Sequence, residues 1–490
     1  MSLAFETMQE DCRGESIRIL FITRTLHTTS GWFCGLATTV GPLSQALCIV
    51  STAESGIGAP SIDMTVTKSS LHCGKEGGVE GCRKHGNRFS HGLIRAVSEG
   101  VISYSDSEEA RTCVSEASGG EGEDGDADSH PRSSEGAYHL LLKLARQERP
   151  VPFGHVFTKE RRENVVNVGV GAYSEVFTFK NEKTVVKLIP IEGAFSNFHG
   201  GEQVRACDVL PEVIAMQALS QLGTRPPFAS LSSCSSSTQN FVHLQRVSVV
   251  QGLFPSYLLA ACKRLRPVNK SAKVMTNVFP KTQKWMALES DYGGDGIADK
   301  LPSCLQARLS IFCQIAVALA VAERRLRFEH RDLHCGNVLI SCVEGMRDCE
   351  NEAPSSTLDG VVYRPCGGPV VSIIDFTFSR LDHNLAPLFS DMSRVCERAR
   401  VRKHPIDIVY VQMQEELGNR WGQFRPRTNC LCLNMIALWL WKADKDRSCE
   451  LHSDAEAQLK WSIILHLLTN SQSAVDFVHK AEFSASFLFR

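Results

Sequence analysis

Phe328-Glu329-His330-Arg331-Asp332-Leu333-His334-Cys335-Gly336-Asn337 is the stretch on which the reading of this 490-residue chain turns. It sets a carboxylate, Asp332, ahead of an amide, Asn337, in the pattern H-R-D-x-x-x-x-N. Moving a phosphoryl group to a hydroxyl needs a carboxylate that orients the hydroxyl and accepts its proton. It also needs a nearby amide oxygen for a metal ion bridging the phosphates. The residue types and their separation suit both tasks. A short pattern of this kind also arises by chance, so its weight rests on what flanks it.

Upstream stands Val168-Gly169-Val170-Gly171-Ala172-Tyr173-Ser174-Glu175-Val176-Phe177, between the β-prone runs Val165 to Val168 and Val176 to Phe179. A hairpin with Gly169 and Gly171 at its bend lets backbone N–H groups approach phosphate oxygens. Ser174 replaces the third glycine of G-x-G-x-x-G, and an ordinary tight hairpin would read the same way. Next comes Thr184-Val185-Val186-Lys187-Leu188-Ile189, a strand with a lysine inside it. A lysine there is costly unless paired or used; the plain alternative is an edge-strand lysine facing water. Glu212, in Pro211-Glu212-Val213-Ile214, is the best partner, with Pro211 suited to a first helical turn.

Downstream, Val370-Val371-Ser372-Ile373-Ile374-Asp375-Phe376-Thr377 delivers an aspartate at a strand end, where a second metal ligand is required. Thr377 replaces the glycine usual after Asp-Phe in a protein kinase. The Ala-Pro-Glu triplet that normally closes the activation segment is missing.

These blocks and departures together resemble the haspin family, atypical eukaryotic protein kinases that replace the D-F-G glycine with threonine and lack the closing triplet. The resemblance rests on Ala318 to Glu323, Leu326-Arg327-Phe328-Glu329 leading into the catalytic loop, Ile189-Pro190-Ile191-Glu192-Gly193, and Val371 to Arg380. Asp407-Ile408, Asn419-Arg420-Trp421-Gly422 and Phe424 to Asn429 extend it, so that it covers Val165 to Phe489.

The resemblance implies an α+β, two-lobed protein-kinase-like fold: a small β-rich N-lobe at 138–289 with a preceding helix, and a larger helical C-lobe at 290–490. A largely disordered N-terminal region at 1–137 would precede it. It implies a serine/threonine kinase using ATP and Mg²⁺ on a threonine near the start of the histone H-three tail in mitosis. Carried over residue by residue, Lys187 and Glu212 form an ion pair, Asp332 is the base, and Asn337 and Asp375 hold Mg²⁺. Val168, Gly169, Gly171, Ala172, Tyr173, Ser174 and Val176 cover the nucleotide. The interlobe linker, with Glu289, Asp291, Tyr292 and Gly293, offers its backbone to adenine, with the small Ser290 beside the adenine pocket. His334 shapes the peptide site; its plain reading is a packing residue under the loop. The nucleus and chromosomes are the expected location, the cytoplasm an alternative, and a monomer the expected state.

Bulk properties fit a soluble intracellular enzyme. The formal net charge of −1 implies no general polyanion partner, so direct nucleic-acid binding is not expected. Nineteen scattered cysteines suggest a reducing compartment rather than a disulfide framework. Thr25 to Ala53 carries no Asp, Glu, Lys or Arg, but its Thr, Ser, Gly and Pro42 dilute it below a typical membrane span. Ser105 to Gly136 is rich in Ser, Gly, Glu and Asp and has too little apolar surface to offset its chain entropy. His72, Cys73, Cys82, His85 and His91 match no common zinc spacing. Tyr138 to Gln147 suggests a short helix docking on the small lobe.

Leu305, Leu309, Phe312, Ile315, Ala316 and Leu319 form one apolar stripe at helical spacing, suiting the helix that positions the catalytic loop. Cys342 to Gly368 reads as a solvent loop. Leu431 to Leu440 reads as a buried helix in which Cys430 and Cys432 are small core residues.

The family's segment after the metal-binding aspartate is acidic, suiting a basic histone tail. Here it carries Arg394, Arg398, Arg400, Arg402 and Lys403 against Asp391 and Glu397. Like charges roughly 4 Å apart cost about 1 kcal/mol in water and about 4 kcal/mol at an effective dielectric near 20. Recognition redirected toward a less basic substrate is therefore one expectation. A pseudokinase scaffold is another class, disfavoured because Lys187, Asp332 and Asp375 are all present. A small-molecule phosphotransferase is a third, disfavoured by the Glu323–Asn337 wording and the Trp421 block.

Overall fold

The computed structural model describes 134–489 with side chains, apart from 172, 194–202, 224–235, 266–278, 343–352, 403 and 443–454. Before 134 it describes only the backbone of five strands between Ser2 and Thr67, paired antiparallel in sequence order within a separate contact unit, Met1–Lys84. The candidate zinc ligands and the Ser/Gly-rich run up to 133 lie outside the described residues.

The second unit has two lobes. The smaller is built on a five-stranded antiparallel sheet, in the order Val165–Val170, Glu175–Phe179, Glu182–Ile191, Lys284–Asp291, Leu244–Gln251. Strand side chains alternate between faces, and each face has its own core. Phe177, Phe179, Val186, Leu188, Trp285 and Ala287 pack with Phe157, Phe254 and Phe279 on one face. Ile189, Ile191, Met286 and Leu288 face the helix Ala206–Ser220 on the other. Lys187 lies between Val186 and Leu188 in sequence and so belongs to the helix side. Its cross-strand partners are Val176 and Leu288.

The helix Ser134–Leu144 docks on this lobe, starting four residues before Tyr138. Its Ala137 and Leu141 join the core with Val209 and Val213, and the Lys284 ammonium lies 3.9 Å from the Tyr138 ring centre. Pro211 is not in the first turn of its helix, contrary to the sequence reading. The helix begins at Ala206, where Asp208 accepts from the Arg205 N–H at 3.2 Å, and Pro211 falls inside it.

In the larger lobe the helix Leu305–Leu326 is buried all round from Ala307 to Glu323, wider than one stripe. Helices Arg427–Lys442, Ala455–Thr469 and Ala474–Ser484 enclose it; Phe312 meets Trp461 and Phe477 edge-on at 6.0 and 5.7 Å. The buried Arg308 is satisfied by carbonyls of Pro302 (2.6 Å) and Leu440 (2.8 Å). This is the one described helix long and apolar enough to cross a membrane, and its apolar surface is core. The segment read as a solvent loop instead holds a hairpin, Ser356–Leu358 with Val361–Tyr363. Burial of Leu358 and Tyr363 in the core holds it in place.

Candidate active site

The long helix ends at Arg327, whose left-handed φ of +49° turns the chain back under the lobe. Glu329 then exchanges both backbone hydrogen bonds with Arg380, each 2.8 Å. Its buried carboxylate accepts from Arg331 Nε (3.1 Å), Thr428 Oγ1 (2.7 Å) and the Arg425 N–H (2.6 Å). Arg331 adopts φ +64°, and its guanidinium lies 5.6 Å from the Trp421 ring centre. Asn429 completes the cradle: Oδ1 accepts from the His330 N–H at 3.0 Å, and Nδ2 donates to Glu323 Oε1 and the Phe328 carbonyl, both 2.9 Å. The Trp421 to Asn429 block is thus the scaffold that fixes the backbone of the catalytic loop.

His330 is fully buried, and desolvation pushes its pKa down to about 4. Its Nδ1 accepts from the Asp332 N–H at 3.4 Å, which leaves Nε2 to carry the proton and donate to the Ile374 carbonyl at 3.3 Å. A neutral imidazole therefore bridges the catalytic loop and the strand that leads to Asp375. That strand, Val370–Ile373, pairs with Val338–Ser341 so that Val338 stands opposite Ile373. The register brings Asn337 and Asp375 to the same end, and the Ile374 N–H donates to the Asn337 carbonyl at 3.1 Å.

Asn337 Nδ2 donates to the Asp332 carbonyl at 2.9 Å, which leaves Oδ1 as the amide's outward ligand atom. Asp375 adopts φ +61°. Desolvation would raise its carboxyl pKa, but Lys187 and the Thr377 donors outweigh that and hold it at about 2. An ionised carboxylate beside an amide oxygen is a hard donor pair of the kind Mg²⁺ takes when phosphates and water supply its other ligands. Among the described residues no cluster of three or more His, Cys, Asp or Glu could form a protein-only metal cage.

Lys187 Nζ lies 2.6 Å from Glu212 Oε1 and 3.4 Å from Asp375 Oδ1. Desolvation would lower the ammonium's pKa; the Asp375 and Glu212 carboxylates reverse this and hold it above the ordinary lysine value. The edge-strand alternative does not apply, because the lysine strand is flanked by two others. Thr377, read from sequence only as a departure, places its hydroxyl 2.7 Å from Asp375 Oδ1 and 3.1 Å from Glu212 Oε2.

Asp332 is buried, and desolvation pushes its carboxyl above the ordinary aspartate range. Tyr410 donates its hydroxyl to Oδ1. His334 Nε2 lies 3.7 Å from the same oxygen, and its Nδ1 accepts from the Gly336 N–H at 3.0 Å. The histidine is therefore part of the loop's own turn and also beside the base.

In the glycine loop, Val168 is the extra residue of a bulge between Asn167 and Gly169. The bend runs from Gly171, whose N–H donates to the Ser174 carbonyl at 2.9 Å, through Tyr173; Ala172 is outside the described residues. Val176, opposite Lys187, forms the inner wall.

The linker assignment needs correction. Glu289 lies inside the sheet, opposite Val186 and Arg246, with its side chain on the face away from Lys187. There it pairs with Arg161 (2.7 Å) and Arg246 (2.6 Å) and is not a nucleotide residue. The strand extends to Asp291 because it has partners on both sides, and the Asp291 and Tyr292 N–H groups donate to the His243 and Lys183 carbonyls, both 3.0 Å. Gly293 is the first residue beyond these contacts. Gly294 must be glycine: its φ is +112°, and a Cβ there would stand 2.1 Å from the Ile340 carbonyl oxygen. Ser290 shares the face of Leu288 and Lys187.

A family model described as "Haspin like kinase domain" matches residues 142–486. The chain belongs to the haspin-like kinase family. It is 34% identical over 297 residues to the serine/threonine-protein kinase haspin of Mus musculus, covering 59% of this chain and 37% of that protein. It is 31% identical over 307 residues to the haspin homolog of Drosophila melanogaster (60% and 51%). The homolog of Arabidopsis thaliana gives 31% over 315 residues (63% and 50%). The chain thus spans between about a third and a half of the length of these relatives. Their names place the family among serine/threonine-protein kinases.

Proposed function

We propose that the chain transfers the γ-phosphoryl group of ATP to a serine or threonine hydroxyl of a protein. The observation that carries this is that Lys187 pairs with both Glu212 and Asp375, while Asn337, tied to the strand before Asp375 through the Ile374 N–H, bonds the Asp332 backbone. In the reaction the substrate oxygen forms its bond to the γ-phosphorus while the bond from that phosphorus to the β,γ-bridging oxygen breaks. The hydroxyl proton passes to Asp332, and ADP leaves. Lys187, held charged and steered by Glu212, would meet the α- and β-phosphates. Asn337 Oδ1 and Asp375 would hold Mg²⁺, which when bound neutralises charge on the phosphates.

For the substrate, the family reading names a threonine in the N-terminal tail of histone H-three, acting at mitotic chromosomes. A second reading rests on the helix Ser393–Arg402. Its Arg402 is neutralised by Asp407 at 2.6 Å and its Arg400 bonds Gln414 at 2.9 Å. Arg394 and Arg398 are exposed and form no ion pair among the described residues. A less basic peptide suits that surface. Steady-state kcat/KM on a histone H-three tail peptide and on an acidic peptide separates the two. Preference for the histone tail supports the family substrate; preference for the acidic peptide, lost in Arg394→Glu/Arg398→Glu, supports the second.

A further inference from the structure

The catalytic carboxylate has a partner on the helix Pro405–Leu417, outside every motif that marks the active site. This helix is fixed at both ends. Asp407 accepts from the His404 N–H at 2.5 Å and pairs with Arg402, while Gly418, with φ +56°, closes the other end by donating to the Gln414 carbonyl at 2.8 Å. Tyr410 is one turn in from Asp407 and is buried with Val409 and Met413. Its carbonyl accepts from Cys396 Sγ at 3.4 Å, tying it to the Ser393–Arg402 helix as well. A phenol this buried needs a hydrogen-bond partner, and the partner is Asp332 Oδ1.

We infer that Tyr410 is the positioning residue of the catalytic base: its hydroxyl anchors Oδ1, so that Oδ2 is the oxygen that receives the substrate's proton. The Asp332 side chain keeps 12% exposure for an incoming hydroxyl. The contrary assignment, a tyrosine plugging the base in place of substrate, disagrees with the geometry. Tyr410 rises from the packed interior of the lobe and is 5% exposed, so it approaches the carboxylate from the core. Removing the hydroxyl would strip Oδ1 of that hydrogen bond and leave the His334 ring 3.7 Å away.

The charged and titratable groups around the pair come from four elements. His334 is on the catalytic loop and Asp375 at the end of the neighbouring strand. Arg402 lies on the Ser393–Arg402 helix, next to Asp407, and Cys432 on the helix Arg427–Lys442. All are retained in Tyr410→Phe, so any difference from the wild type reports the hydroxyl. A hydroxyl donated to a carboxylate favours its ionised form. Its loss therefore leaves Oδ1 without that anchor.

This assignment rests on the kinase reading, yet one of its two tests does not need activity. In the full chain, urea unfolding of wild type, Tyr410→Phe, Asp332→Ala and the double variant forms a double-mutant cycle. The expected coupling is about tenfold in the unfolding equilibrium, from one hydrogen bond to a charged group. Phosphotransfer is measured alongside for Tyr410→Phe: kcat should fall about tenfold or more, with peptide KM nearly unchanged. Additive losses in the cycle would overturn the assignment whether or not the chain proves active. A rise in kcat would also overturn it and make Tyr410 a plug. A wild type that transfers no phosphate but shows the coupling removes the kinase reading and keeps the Tyr410–Asp332 pair.

Discussion

The Thr377 hydroxyl stands 3.1 Å from Glu212 Oε2, joining the segment after Asp375 to the helix Ala206–Ser220 of the other lobe. The same oxygen is 2.7 Å from Asp375 Oδ1, and Lys187 Nζ reaches both carboxylates. Two carboxylates from two elements are therefore held together by one neutral hydroxyl and one ammonium. A glycine at 377 could not close this ring.

Thr377→Val keeps the shape and removes the donor. Since a hydrogen bond to a charged group is worth about 1.5–3 kcal/mol, kcat/KM should fall about 10- to 100-fold. Thr377→Ser should retain most of the activity. Steady-state kinetics on the three proteins checks both.

Lys187→Met removes the cation from between two carboxylates. Activity should drop about 100-fold or more through lost phosphate positioning. The uncompensated Glu212 should lower stability by about 1–3 kcal/mol. Lys187→Met/Glu212→Gln, with no unpaired charge at 212, should recover stability but not activity. Urea unfolding beside the kinase assay tests the split.

The buried pair Glu329–Arg331 carries the backbone of the catalytic loop. Glu329→Ala leaves a guanidinium in the interior without its carboxylate, and also frees the Arg425 N–H and the Thr428 hydroxyl. A loss of about 3–5 kcal/mol in denaturant unfolding is expected.

His330 predicts a pH dependence of stability. Its pKa is about 4 in the fold against an ordinary 6.5. Between those values the unfolded chain binds a proton that the folded chain refuses. Stability from this group is therefore full above about 6.5 and falls as pH drops toward 4, by about 1.4 kcal/mol per unit. Below pH 4 both states are protonated and the slope ends. His330→Gln should flatten that part of the stability profile, as read from thermal or urea unfolding between pH 4 and 7.

The catalytic loop was legible because phosphoryl transfer demands fixed residue types a few positions apart, and Lys187 because a charge inside an apolar strand needs a reason. Glu212 followed as the glutamate next to Pro211, which was read as a helix start. The linker was misread at Glu289 because a strand's end is decided by its neighbours. Pairing with Val186 and Arg246 draws the strand on to Asp291, which no local propensity announces. Pro211 misled in the same way, since Asp208 starts the helix earlier. Tyr410 was hidden because a helical tyrosine looks like core until Asp332, distant in sequence, is seen beneath its hydroxyl. The arginine run could be counted in sequence, whereas Asp407 and Gln414 as partners of Arg402 and Arg400 could not.

The most direct test of the central claim is transfer of radiolabelled phosphate from ATP–Mg²⁺ to a histone H-three tail peptide and an acidic peptide, with Asp332→Asn run in parallel. Label on a serine or threonine of either peptide, lost in Asp332→Asn, is the predicted result. ATP binding with no label on any peptide, or equal labelling by Asp332→Asn, would contradict the assignment of these residues as a working kinase site.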